Sequence, residues 1–149
     1  MDRLTKQQRS ENMRHIRSKN TKPELYLRSL LHGAGFRYSL ITGKIPGHPD
    51  LWMPKWNLAI FVHGCFWHRH NGCKYAYNPK TNTEFWCKKF SNNINRDRKV
   101  GQLLEEARIR RLVVWECSIK NALKSEEYAN FLLLELEEFI KSNEMFMEI

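Results

Sequence analysis

The densest group of chemically active side chains in the sequence lies between His63 and Cys73, which reads HGCFWHRHNGC. Three histidines and two cysteines surround two adjacent rings, Phe66 and Trp67. The stretch is too polar for a buried strand, and its apolar residues lack the period of an amphipathic helix. It therefore predicts a loop that binds a metal, carries out catalysis, inserts rings into a ligand, or combines these roles.

A zinc site is the first chemistry that the spacing indicates. Cys65, His70 and Cys73 lie within nine residues, which allows three side chains of one loop to converge on a cation. Cys117, at the end of a predicted strand, can supply a fourth thiolate, and three cysteines with one histidine form a closed tetrahedral zinc set. Spacing alone leaves open whether His68 or His70 is the histidine ligand.

The cysteines also help to predict the cellular compartment of the protein. The sequence predicts neither a signal peptide nor a membrane span, because it has no run of about 18 apolar residues. Cysteines without a secretory signal indicate a reducing compartment, so we expect a cytoplasmic protein whose clustered cysteines bind metal. The alternative is buried, inert cysteines, which suits Cys87 on a predicted helix beside Phe85, Trp86 and Phe90.

A second chemical position is Asp50, in the segment IPGHPD. It precedes the first strand of a predicted hairpin, whose antiparallel pairing would bring Val62 and His63 beside it. A carboxylate, a main-chain carbonyl and phosphate oxygens are the hard ligands that Mg²⁺ prefers. The alternative is that Pro49 and Asp50 simply form a turn.

The charge is unevenly distributed along the chain. The net charge is +9, yet the stretch from Asn121 onward holds two basic residues against seven glutamates. The basic excess is therefore confined to residues 1–120, and five Trp and eight Phe could stack on bases, so a polyanion such as nucleic acid is indicated. The alternative is a basic protein with no nucleic-acid partner. Residues 1–20 predict a basic arm, or a loosely held helix, that orders on a partner.

The hydrophobic pattern predicts one sheet flanked by helices, the α/β class, in a single domain of residues 1–149. A capping-box sequence at Thr21 begins the first helix, which ends at Gly33 or Gly35. The later elements are a strand at FRYSL, a hairpin of LWM and NLAIFVH, a helix from Asn82 to about Arg108, a strand at RLVVWEC and a closing helix at SEEYANFLLLELEEFIKS.

Six segments together resemble the very short patch repair (Vsr) family of DNA mismatch endonucleases. They are NMRHIRSKNTKPE, LRSLLHGAGFRY, PGHPDLWM, FVHGCFWHRHNGC, NTEFWCKKFSNNINRDR and VVWECS, from about Met13 through Cys117. The resemblance implies a restriction-endonuclease-like core, a structural zinc, and Mg²⁺-dependent nicking of double-stranded DNA. The implied cut lies on the 5′ side of the T in a T·G mismatch, where 5-methylcytosine has deaminated. The glutamate and lysine usual in restriction enzymes are absent, so the number of metal ions is not implied.

The resemblance also implies roles for individual residues. Asp50 would bind Mg²⁺ beside the main-chain carbonyl of Val62, and His68 would be the general base that activates the attacking water. Asp97 would orient His68 or a water on the metal. Nearby contacts to phosphate or water would come from His63 and Glu24. Zinc would be held by the four side chains of Cys65, His70, Cys73 and Cys117.

The same resemblance implies a role for three aromatic rings. Phe66, Trp67 and Trp86 would form a wedge in the base stack, where unstacking costs a few kcal/mol per step and less at a mismatch. Without the flanking ligands, ordinary core packing is the alternative. The arm would add DNA contacts from Met13, Arg14 and Arg17.

Two other functions fit part of the pattern. A non-catalytic zinc DNA-binding module would use the basic surface and the rings, but it has no use for Asp50 and His68. A restriction endonuclease would cut both strands of matched DNA. The resemblance further implies a monomer, functionally coupled to a cytosine-5 DNA methyltransferase and to mismatch repair proteins.

Overall fold

The computed structural model describes residues 5–7 and 20–149. The predicted basic arm of residues 1–20 lies almost entirely outside these ranges, and so do the predicted DNA contacts Met13, Arg14 and Arg17. Within the described ranges, no helix combines the length and the apolar character needed to cross a bilayer.

A four-stranded mixed sheet lies at the centre of the structure. Its strands are β1 (Leu51–Met53), β2 (Leu58–His63), β3 (Arg110–Trp115) and β4 (Phe146–Glu148), in the spatial order β1-β2-β3-β4. β1 is antiparallel to β2, whereas β2 and β3 are parallel, as are β3 and β4. The helices are α1 (Lys22–Gly33), α2 (Thr83–Glu106), α3 (Glu116–Lys124) and α4 (Glu126–Lys141). The predicted α/β class is confirmed.

The predicted hairpin is present and positions the first chemical residue. A 3₁₀ turn at Pro54–Trp56 joins β1 to β2, and Asn57 follows in the left-handed conformation, with φ 49°. The side chain of Asn57 donates to the carbonyl of Arg108 at 2.7 Å, which ties this turn to the start of β3. Because Leu51 pairs with Ile60, the chain immediately before β1 lies beside the end of β2.

Helix α1 begins as the capping-box sequence predicts, with one change of partner. The Thr21 hydroxyl accepts from the Glu24 amide at 3.4 Å. The Glu24 carboxylate accepts a hydrogen bond from the Asn20 amide at 2.9 Å. In the standard capping box it would accept from the amide of the N-cap residue, here Thr21. The helix ends at Gly33, and Gly35 lies beyond it with φ 94°. Glu24 is thereby fixed and buried beside the sheet.

Two predicted strands differ from the structure. FRYSL forms only an isolated bridge between Ser39 and Trp52, because the Gly- and Pro-rich bend of residues 43–49 leaves no further length to pair. RLVVWEC ends as a strand at Trp115, and Glu116 begins α3. Cys117 therefore lies in the first turn of a helix and not at a strand end.

Strand β4 and helix α3 were not predicted. β4 follows α4, the predicted closing helix, and its segment pairs with β3 through bonds from the Arg111 amide to Met145 and from the Trp115 amide to Ile149, at 2.8 and 2.7 Å. The buried Arg110 guanidinium joins the chain around this pairing. It donates, at 2.6–3.2 Å, to four carbonyls: those of Trp56, Phe139, Ile140 and Glu144.

The two faces of the sheet bury different elements. One face packs against α1, α3 and α4 through the fully buried side chains of Leu58, Ile60, Leu112 and Val114. The opposite face packs against Leu104 of α2 and Cys65 through Ala59, Phe61, Val113 and Trp115. The ends of β2 and β3 on this second face border the loop of residues 63–73.

Candidate active site and metal centre

The loop of residues 63–73 folds back on itself just beyond β2. The His68 amide donates to Gly64 and the His70 amide donates to Cys65, each at 3.0 Å. Arg69, between the two histidines, has φ 55°, and Gly72 has φ 72°, a conformation that favours glycine. The turn at Arg69 separates His68 from His70, and their side chains join different groups.

Four side chains form what we term the thiol cluster. Its members are Cys65, His70, Cys73 and Cys117, and their ligating atoms all lie within 4.8 Å of one another. The Cys117 Sγ lies 3.5 Å from the His70 Nδ1, and the Cys117 amide donates to the Cys65 Sγ at 3.4 Å. Three sulfurs and one imidazole are the donor set of a closed tetrahedral zinc site, so the residues fit this metal.

The surroundings of the thiol cluster support metal binding. The His70 ring stacks on Trp115, with ring centroids 4.2 Å apart and an interplanar angle of 8°. Burial raises the pKa of the Cys65 thiol to about 12, so a bound cation would be needed to hold it as a thiolate at neutral pH. Cys87 lies apart on α2 and is exposed, which differs from the buried position predicted for it. The thiol cluster therefore could hold a metal ion without Cys87.

A cavity of about 470 Å³, which we term the Asp50 cavity, borders the loop at His63 and His68. It contains all six residues predicted for catalysis or Mg²⁺ binding, which are Glu24, Asp50, Val62, His63, His68 and Asp97. They come from α1, the β1–β2 hairpin, the loop of residues 63–73 and α2. The fold thus brings together side chains that are separated by up to 73 positions in the sequence.

Asp50 occupies the position that the hairpin predicts. Its Oδ2 accepts from the Val62 amide at 2.7 Å, and buried Glu24 lies close enough to repel it. Burial is the largest cause that raises the pKa of Asp50, to about 6, and the Glu24 charge adds to it. The Asp50 carboxylate, whose charge burial disfavours, and the nearby Glu24 carboxylate provide hard oxygen ligands for a divalent cation, so the residues fit Mg²⁺.

Two histidines of the Asp50 cavity, His63 and His68, are held by ring contacts and by a carboxylate. The His68 Nδ1 lies 2.7 Å from the Asp97 Oδ2. His63 stacks on His68 with ring centroids 3.9 Å apart and an interplanar angle of 3°, and it contacts Trp115 edge-on. Burial, and then the nearby His68, lower the pKa of His63 to about 3, so His63 is neutral at physiological pH. Of these two stacked histidines, His68 is the one paired with a carboxylate.

The rings of the loop pack against the first turns of α2. Phe66 contacts four rings at centroid distances of 5.0–5.4 Å, those of Trp67, Tyr77, Trp86 and Phe90. Trp67 lies 5.8 Å from Trp86, and Lys89 lies over the Trp67 ring. Phe66, Trp67 and Trp86 are half-buried, whereas Phe85 is 59% exposed. We term Phe66, Trp67 and Trp86 the ring cluster. It adjoins the Asp50 cavity because Trp67 directly precedes His68 in the chain.

Among the other residues that line the Asp50 cavity, three have basic side chains that the sequence analysis did not single out: His48, Arg96 and Arg111. His48 has φ 48° within the segment PGHPD, and Arg96 precedes Asp97 in NRDR. The sequence could have indicated these two residues, because His48 lies two positions before Asp50 and Arg96 directly precedes Asp97. Arg111 has no such signal, because it opens an apolar strand sequence and only the sheet decides which way it faces.

Comparison with known proteins identifies the family of the chain. The family model for the DNA mismatch endonuclease Vsr matches residues 1–74, a range that contains Asp50 and the whole loop of residues 63–73. The DNA mismatch endonuclease Vsr of Escherichia coli is 41% identical over 132 residues, which cover 89% of this chain and 83% of that protein.

Two further relatives are named type II nicking enzymes. One, V.NmeAIP of Neisseria meningitidis, is 39% identical over 139 residues, covering 93% of this chain and 99% of that protein. The other, V.XorIIP of Xanthomonas oryzae pv. oryzae, is 42% identical over 120 residues, covering 80% and 88%. The likeness extends beyond the range of the family model and across most of the chain. The chain therefore belongs to the Vsr family of DNA mismatch endonucleases and is a DNA endonuclease.

Proposed function

We propose that this endonuclease nicks one strand of double-stranded DNA on the 5′ side of the T in a T·G mismatch, in a reaction that depends on Mg²⁺. The observation that carries the proposal is the convergence of Asp50 with the His68–Asp97 pair in one cavity beside the ring cluster. A non-catalytic binding module has no use for this carboxylate and histidine. The nicking enzymes among the relatives favour cleavage of a single strand over cleavage of both.

The chemistry follows from the residues of the Asp50 cavity. With its Nδ1 held by Asp97, His68 takes the proton of the attacking water at Nε2. The water oxygen bonds to phosphorus, the bond to the 3′-oxygen breaks, and that oxygen acquires a proton from solvent. Neutral His63 holds the His68 ring by stacking and adds no competing positive charge.

Mg²⁺ would be held by Asp50, with the Val62 carbonyl and Glu24 as further oxygen ligands or water contacts. When bound, it would polarise the phosphoryl oxygens and stabilise the negative charge on the leaving 3′-oxygen. Zinc in the thiol cluster would have a structural role, because the four protein ligands leave no open position. The mixed sheet with its flanking helices would then be a restriction-endonuclease-like core within one domain of residues 1–149.

Mismatch recognition is assigned to the ring cluster. Phe66, Trp67 and Trp86 are half-buried, and Phe66 and Trp67 directly precede His68 in the loop. A mispaired step is less costly to unstack than a matched one, so rings that enter the stack favour T·G. The remaining proposals come from the family resemblance. The protein would bind DNA as a monomer, and its action would be functionally coupled to a cytosine-5 DNA methyltransferase and to mismatch repair proteins.

A strand-resolved cleavage assay tests the proposal. Matched and T·G duplexes, each labelled on one strand at a time, are incubated with the protein in Mg²⁺ or in EDTA under single-turnover conditions. The proposal predicts cleavage of the T strand alone, 5′ of the T, and only with Mg²⁺. Equal cleavage of both strands of the matched duplex would identify a restriction-type activity, and binding without cleavage would identify a non-catalytic module.

A further inference from the structure

Arg111 extends from the middle of the sheet into the Asp50 cavity. It is the second residue of β3, paired with Ala59 in β2 and with Phe146 in β4. Its guanidinium carbon lies 4.2 Å from the centroid of the Phe146 ring. The unpredicted strand β4 therefore supplies a flat surface on which the guanidinium rests. From there it borders the cavity together with His68 and Asp97.

The guanidinium has no direct anionic partner in the described part of the chain. Asp97, Glu105 and Glu148 attract it from a distance, but none of them forms an ion pair with it. Its side chain also makes no hydrogen bond there, and burial disfavours its charged form. A partly desolvated cation with unused donors is poised for an incoming anion, because a guanidinium presents a planar set of N–H groups that matches phosphate oxygens.

A glycine in the facing helix makes room for this side chain. Gly101 lies within α2, where glycine destabilises a helix relative to alanine. A Cβ at Gly101 would lie 2.6 Å from the Arg111 Nη1 and 3.0 Å from its Cζ. Helix α2 also carries Asp97, one turn earlier on the chain. Because Gly101 has no Cβ, the Arg111 guanidinium can occupy this space beside the His68–Asp97 pair.

We propose that Arg111 is a catalytic residue of this endonuclease that binds a non-bridging oxygen of the scissile phosphodiester. This inference rests on the proposed function, since it takes the Asp50 cavity as the site of hydrolysis. The negative charge of the phosphate grows on these oxygens in the transition state, and a fixed guanidinium stabilises it there without reorganisation. Phe146 and Gly101 are positioning residues for it.

Single-turnover cleavage at saturating DNA tests the assignment. Arg111→Ala should lower the rate about 100-fold, the usual effect of removing one preorganised donor to a developing oxyanion. Arg111→Lys should recover part of the rate and Arg111→Gln should not. Gly101→Ala keeps the charge but displaces the guanidinium, and should lower the rate about 10-fold. Lys99→Ala, an equal charge loss at an exposed position of α2, should leave the rate unchanged.

Two additional readouts separate this role from a merely structural one. Guanidinium ion added at millimolar concentration should restore part of the rate of Arg111→Ala, and it should not change the rate of Lys99→Ala. Zinc content and thermal unfolding are measured on every variant. A rate for Arg111→Ala equal to wild type would overturn the inference, and so would a loss that follows instability and resists guanidinium.

The comparison is run on whichever duplex the wild-type protein cuts. If the wild type cuts matched DNA as well as T·G, the proposed specificity fails while Arg111 is still tested on the matched duplex. If His68→Ala is as active as wild type but Arg111→Ala is impaired, the proposed mechanism fails while the phosphate contact stands. The two failures are therefore distinguishable.

Discussion

The thiol cluster and the Asp50 cavity share the loop of residues 63–73 but have opposite properties. The thiol cluster gathers three sulfurs and one ring nitrogen within 4.8 Å, which suits a closed site for a soft metal. The Asp50 cavity gathers carboxylates and histidines around open volume, which suits a hard cation and a substrate. Two histidines separated by a single residue, His68 and His70, belong to different sites.

The difference shows how one site can support the other. Trp115, at the end of β3, stacks on His70 and contacts His63 edge-on, so the same ring borders both groups. A structural metal in the thiol cluster would fix the loop and hold His68 toward Asp97. Under the proposed function, the thiol cluster would keep the loop rigid and the Asp50 cavity would carry out the hydrolysis, and variants should separate these two contributions.

The largest expected effect is in the Asp50 cavity. Asp50→Ala should lower nicking of a T·G duplex by about 10³-fold or more, because a metal ligand contributes several kcal/mol of charge stabilisation. DNA affinity should persist or rise, since a carboxylate near phosphate repels it when no metal is bound. Single-turnover cleavage and a binding titration check both effects. Normal turnover in this variant would remove Asp50 from the active site.

The next effect concerns the stability supplied by the thiol cluster. Cys117→Ser should reduce bound zinc and lower the unfolding midpoint by about 10 °C, because binding of a structural metal contributes directly to folding free energy. Cys87→Ser is the matched control: this cysteine is exposed and lies outside the cluster, so neither quantity should change. Elemental analysis and thermal denaturation provide the measurements. An unchanged metal content in Cys117→Ser would place the fourth ligand elsewhere.

A smaller effect is expected at the ring cluster. Trp67→Ala should reduce the preference for T·G over matched DNA about tenfold, since a ring that engages a base contributes roughly 1–3 kcal/mol. Zinc content and affinity for matched DNA should persist, and Trp67→Phe should recover much of the preference. Competition binding with the two duplexes measures it. If the variant unfolds or loses zinc, Trp67 is a packing residue, and equal weakening of both duplexes would make it a general DNA contact.

The smallest effect is a gain of stability from removing a functional charge. Folding raises the pKa of Asp50 from 3.8 to about 6, so the folded state binds more protons between these values and the wild type loses stability as pH rises through them. Asp50→Asn should therefore increase the free energy of unfolding by about 1–3 kcal/mol at pH 7.5, in buffer with zinc but without Mg²⁺. The gain should fall to about half at pH 5, and denaturant titration at both pH values checks it. A gain that does not change with pH would have another cause.

The parts of the fold and site that the sequence predicted depend on local patterns. The hairpin and its register followed from two apolar runs around a Pro-containing turn, and they placed Asp50 beside Val62. The helix start at Thr21 followed from its capping sequence. The pairing of β4 with β3 had no local signal, because β4 has three residues and its partner is more than 30 positions away.

The site was predicted unevenly for the same reason. The spacing of Cys65 and Cys73 indicated a metal, but spacing could not choose between His68 and His70, since the left-handed turn at Arg69 decides it. Arg111 was missed because its position in the cavity depends on strand pairing with β4 and on the space left by Gly101. Contacts that only the tertiary structure creates leave no mark in a local pattern.

The most direct test of the division between the two sites compares His68→Ala with His70→Ala. Zinc per chain and single-turnover cleavage of a T·G duplex are measured on the same preparations. His68→Ala should keep its zinc and its unfolding midpoint while cleavage falls about 10²–10⁴-fold, the range for loss of a general base. His70→Ala should lose zinc and stability together. Loss of zinc from His68→Ala, or full zinc in His70→Ala, would contradict the assignment of the two histidines to separate sites.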